Sequence, residues 1–170
     1  DPVAFARING SCALFLDGRD DALVVPVATE EKRSIGQPEN EPALKGAQDS
    51  FVESVRTNTS LVRRRLRAPE LRVREQIVGR QSLTPVDVVY LEGIADPETV
   101  ERVERRLEEI DIDGVEAAGN IEEYLVDGAR SAFPLMAYTQ RPDRFCQGLL
   151  EGRVGLLADG IPLGWLLPGA

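Results

Sequence analysis

The chain has 170 residues, 42% of them apolar and 29% charged, with a formal net charge of −9 and no histidine. That length and apolar share suit one sizeable core or two small ones, and the acidic balance argues against nucleic acid, whose phosphates require a cationic surface. Without histidine no Ser-His-Asp or Cys-His mechanism can operate, and the commonest metal ligand is missing.

Val3, Ala4, Phe5 and Ile8 read as the last turns of a helix, so the chain is expected to open in mid-pattern. Ser11–Leu16 and Ala22–Val27 are apolar runs joined across Asp17-Gly18, a hairpin signal. Glu30–Glu41, with Gly36, Pro38 and Pro42 among polar residues, reads as a linker. The stretch Ser50–Arg67 is expected to be a helix: Ser50 and Glu53 have capping-box spacing, Phe51, Val55, Val62 and Leu66 fall on one face, and Pro69 stops it. Leu71, Val73 and Ile77 alternate with polar residues and Val86–Leu91 is β-branched and aromatic, which gives two strands around a turn at Gln81–Pro85. Asp96-Pro97 caps an amphipathic helix whose buried stripe is Val100, Val103, Leu107 and Ile110, with Glu and Arg four apart on the other face.

Asp111–Gly114 is expected to be a short strand and Ile121–Val126 a small helix. Asp111, Asp113 and Glu122 imitate a calcium loop, but Val115 and Glu116 stand where a ligand and the glycine belong, so no metal is implied. Arg141–Leu150 reads as a helix with Pro142 in its first turn, followed by strands Val154–Ala158 and Leu163–Leu167 around Asp159-Gly160. A shift of 142 maps Gly10 to Gly152, Leu14 to Leu156, Asp17 to Asp159 and Gly18 to Gly160. Duplication is the expected cause of that recurrence, with chance agreement between two hairpins as the alternative. The expected fold is therefore α/β, a mixed small sheet flanked by helices, in two related subdomains with the first only partly present. Residues 1–29 hold the hairpin ending that first subdomain, 30–49 the linker and 50–170 the second subdomain. Cys12 and Cys146 lie in apolar segments and are expected to be buried, unpaired thiols.

Phosphate-cradle, nucleophile-elbow and zincin motifs are all missing, and no carboxylate pair is singled out. Two features rise above the background. Arg63, Arg64, Arg65 and Arg67 gather at a helix C-terminus, where the helix dipole alone justifies them or where they meet anionic lipid or an acidic partner. Thr57–Ser60 and Thr139–Asp143 are polar groups at element ends; Asn58, Thr59, Thr139 and Arg141 are the candidate contacts to a small zwitterion, against the simpler reading that they bond neighbouring turns.

The stretches FVESVRTNTSLVRRRLRAPEL, VYLEGIADPETVERVERRLEEIDIDG, YTQRPD and LLEGRVGLLADG resemble the A subunits of GerA-type spore germinant receptors and their sporulation paralogue SpoVAF. Gly46–Phe51 departs from the family's Gly-Pro-Arg-Glu-Gly-Phe, and Gln140 stands where glutamate is common; receptor subunit and paralogue both remain open. The resemblance implies a soluble N-terminal domain on the cytoplasmic side of the spore inner membrane, preceding membrane-spanning helices. It also implies partner subunits of B and C type, self-association, an inner-membrane lipid surface, no cofactor and no enzymatic activity. The runner-up function is a small-ligand module resembling solute-binding proteins.

Overall fold

The computed structural model describes residues 11–18, 21–27, 49–110 and 136–167. The expected linker, the Asp111–Gly114 strand, the Ile121–Val126 helix and the calcium-like loop lie outside them.

Strands β1 (Ser11–Phe15) and β2 (Ala22–Pro26) form an antiparallel hairpin, with Gly18 at φ +78° in its turn. A five-stranded sheet follows, built from β3 (Leu71–Val78), β4 (Thr84–Leu91), β5 (Ala137–Thr139), β6 (Val154–Ala158) and β7 (Gly164–Leu167) in the spatial order β3-β4-β6-β7-β5. Every pairing between described strands is antiparallel. Among the described residues three helices flank the sheet: α1 (Val55–Arg65), α2 (Pro97–Glu108) and α3 (Pro142–Leu150).

The period-2 pattern of β4 decides which helix covers which face. Val86, Val88 and Tyr90 point to one side and join Val100, Val103 and Leu107 of α2 in one apolar cluster. Val89 and Leu91 point to the other and join Val55 and Val62 of α1 with Phe145 and Leu149 of α3. The result is three layers, α2 against one face and α1 with α3 against the other. Asp96 caps α2 as expected, accepting from the amides of Glu98 and Thr99.

The start of α1 differs from the expectation. Its N-cap is Ser54, which accepts from the Thr57 amide, and Ser50–Glu53 is not helical. Two ties, one long-range and one local, hold that segment out of the helix. Phe51 N–H donates to the Gln140 carbonyl at 2.8 Å, and Val52 exchanges both backbone bonds with the Asn58 side chain. Phe51 still enters the core, edge-on to Phe145 with ring centroids 5.4 Å apart.

The repeat read from the sequence carries over to strand register. Adding 142 to both members of the pairs Cys12–Val25, Ala13–Val24, Leu14–Leu23 and Phe15–Ala22 yields Val154–Leu167, Gly155–Leu166, Leu156–Trp165 and Leu157–Gly164, which are the pairs of β6 with β7. Gly18 maps onto Gly160, also at positive φ. The surroundings differ. β6 and β7 are buried throughout, whereas Leu14, Phe15, Leu16, Leu23, Val24 and Val27 of the first hairpin are exposed. Cys12, expected to be buried, is exposed for the same reason, while Cys146 is buried; neither forms a disulfide.

Candidate functional site

The four residues proposed for a small ligand occupy one side of the sheet. Asn58 and Thr59 lie on the buried face of α1, where a helix normally places apolar groups, and each has a specific partner. The Asn58 amide nitrogen donates to the Val52 carbonyl at 2.6 Å while its oxygen accepts from the Val52 amide at 2.8 Å. It therefore serves Val52 as a neighbouring strand would. Thr59 donates to the Asp87 carboxylate at 2.5 Å. That carboxylate projects from the interior strand β4 and is 6% exposed, and burial pushes it towards its protonated form against the pull of Thr59, Arg63 and Arg56.

Thr139 and Arg141 sit at the junction between β5 and α3. Thr139 Oγ1 accepts from the Arg141 amide at 3.1 Å, a local turn that ends the strand. Arg141 is the N-cap residue of α3, but its side chain grips Asp143 through two bonds of 3.1 and 2.6 Å, and that donor holds the Asp143 carboxyl below its ordinary range. The segment Ser50–Val52 links the two groups, bonding Gln140 at one end and Asn58 at the other. Thr59 bonds Asp87 on β4 and neither member of that junction. A ligand seated on these residues would have to open bonds that fix the N-terminus of α1.

A further contact that residue patterns do not reveal tightens the same corner. Asp159, in the β6–β7 turn, accepts from the Val55 amide at 3.0 Å, and Gly160 N–H donates to the Glu53 carbonyl at 2.7 Å. The first turn of α1 is thus capped from 104 residues away. Only the Asp-Gly of a hairpin was legible beforehand; its second role depends on how the turn meets the helix.

The arginines divide. Arg65, despite its place in the cluster, pairs with Asp49 at 3.1 Å, whereas Arg56, Arg63, Arg64 and Arg67 are exposed and form no ion pair among the described residues. Among the described residues no helix is long and apolar enough to cross a membrane, and no group of three or more acidic or cysteine side chains could hold a metal ion.

A family model described as Bacillus/Clostridium GerA spore germination protein matches residues 3–170. Spore germination protein KA of Bacillus subtilis (strain 168) is 36% identical over 159 residues, covering 94% of this chain and 29% of that protein. The membrane protein YfkQ of the same organism is 37% identical over 160 residues, covering 94% and 31%. The crystal structure of the N-terminal domain of the A subunit of the Bacillus megaterium spore germinant receptor GerK3 aligns with a TM-score of 0.70 at 30% identity, over 99% of this chain and 60% of that one. The chain spans about a third of the length of the curated relatives it matches.

Proposed function

The chain belongs to the GerA family of spore germination proteins, and from that premise we propose that it is the N-terminal domain of a germinant receptor A subunit that assembles with B- and C-type subunits and relays nutrient signals. The carrying observation is the agreement in fold with such a domain at 30% identity over nearly the whole chain. On this reading the domain lies on the cytoplasmic side of the spore inner membrane and performs no catalysis. Its polar groups act as fasteners: the buried Asn58, Thr59 and Asp87 and the exposed Asp159 tie α1 to the Val52 segment, the sheet and the β6–β7 turn, so a displacement of α1 is transmitted to them.

The test is made in spores producing the full-length protein. Detergent-solubilised inner membranes should yield the B- and C-type subunits bound to it, and deletion of this domain should abolish both that association and nutrient-triggered ion release. Unchanged association and release after the deletion would refute the relay. A second reading, a small-ligand module on Asn58, Thr59, Thr139 and Arg141, draws support from the Ser50–Val52 segment that joins the two groups. Calorimetry with amino acids, sugars and nucleosides addresses it: a saturable heat that Asn58→Ala removes favours the module.

A further inference from the structure

Charge is segregated across the three layers. Helix α1 carries Arg56, Arg63, Arg64 and Arg65 and no carboxylate. On the opposite side of the sheet, α2 and its ends expose Asp96, Glu98, Glu101, Glu108 and Glu109 against Arg105. At about 100° per residue, Arg56, Ser60, Arg63 and Arg64 fall within a single exposed arc opposite the buried Val55, Asn58 and Val62, and Arg67 is exposed just past the helix end. Several arginines elsewhere are engaged: Arg72 with Glu92, Arg74 with Glu104, Arg141 with Asp143 and Arg153 with Glu151, whereas Arg105 and Arg106 stand among the carboxylates of α2. Arg56, Arg63, Arg64 and Arg67 form no such pair among the described residues.

We propose that this arginine face docks on the anionic phospholipid headgroups of a bilayer, orienting the domain with α1 towards the membrane and α2 away from it. The proposal rests on the reading of the chain as part of a membrane-embedded receptor. Charge complementarity selects the occupant. A chain of net charge −9 is repelled by an anionic bilayer in most orientations, and the α1 face is the one that turns that repulsion into attraction. A relative of which this domain matches 31% is itself a membrane protein, so a tethered domain meets the surface at high effective concentration. Guanidinium forks donate to phosphate oxygens in pairs. Each arginine at such a surface is worth about fivefold in partition, so four supply on the order of several-hundred-fold, weak for a free domain and decisive for a tethered one.

The experiment is sedimentation of the 170-residue chain with vesicles of phosphatidylcholine alone or mixed with phosphatidylglycerol, at low salt and at about 0.1 M, where the screening length shrinks to about 10 Å. Partition onto the mixed vesicles should exceed that onto neutral ones and fall with salt. Arg63→Gln with Arg64→Gln should lower it about 25-fold, while Arg105→Gln with Arg106→Gln, the same charge change on α2, should alter it less than about twofold. Matching thermal midpoints establish that both variants are folded. Equal partition onto both vesicle types overturns the proposal, as do equal losses in the two variants. Binding of soluble polyglutamate through Arg63 and Arg64 without vesicle binding also overturns it, in favour of an acidic protein partner. None of these outcomes touches subunit association, so the docking and the receptor reading fail separately.

Discussion

At the level of single residues, Asp87 has the environment least suited to its charge. Its carboxylate sits beneath α1 with Thr59 as donor, and burial raises its folded pKa above the unfolded value; Glu75 adds to the rise, while Thr59, Arg63 and Arg56 oppose it. The native state therefore holds this proton to higher pH than the unfolded chain does, so its contribution to stability is full below the unfolded pKa and declines as pH climbs through the folded one. Asp87→Asn keeps an acceptor for Thr59 and removes the titration. Urea unfolding should find the variant more stable than the parent at neutral pH, the difference vanishing in acid; a difference independent of pH would contradict the burial argument. Asn58 offers a contrasting case, because its loss leaves both polar groups of the Val52 peptide without their partner. Asn58→Ala should cost about 2 kcal/mol in the same assay. The two thiols differ as well. Burial pushes Cys146 up to about 12 while Cys12 is exposed, so one thiol should react with an aromatic disulfide reagent at neutral pH and the second only on unfolding.

Among the elements, the ones marked by local chemistry were legible. Proline and an aspartate cap announced α2, proline announced α3, and Asp-Gly between apolar runs announced both hairpins. The start of α1 was not, because Ser50 and Glu53 have the spacing of a capping box while the bonds that deny them the helix come from Gln140 and Asn58. β5 escaped notice because three residues carry no usable alternation. The need of Asn58 and Thr59 for partners could be read; the partner of Thr59, 28 residues away on an interior strand, could not. Glycines settle how α3 meets the sheet. Phe145 lies over bare backbone on β6 and β7: a Cβ at Gly155 would come within 2.3 Å of its ring, and one at Gly164 within 2.6 Å. Gly155→Ala should therefore destabilise by about 2 kcal/mol through overpacking. In a double-mutant cycle, Phe145→Leu should absorb most of that penalty; strictly additive losses would show that the ring and the glycine do not oppose each other.

For the whole molecule, the two hairpins pose a sharper question than either alone, since one apolar pattern in one register is bare in the first hairpin and buried in the second. A lone two-stranded hairpin is marginally stable in water. Phe15, 73% exposed, is the counterpart of the wholly buried Leu157, and Leu14 that of Leu156. The five-stranded sheet, by contrast, has a helical layer on each face and its clusters close without any residue of β1 or β2. From this it follows that residues 49–170 should fold without the first 48. Truncation before Asp49 should leave a single cooperative thermal transition within about 4 °C of the parent, a shift worth about 1 kcal/mol for a domain of this size, and should remove most binding of a fluorescent apolar dye, because the exposed side chains of β1 and β2 go with the deleted part. A truncated chain that melts broadly or not at all would mean that the hairpin supports the sheet. The division at the linker, drawn from composition alone, would then fall.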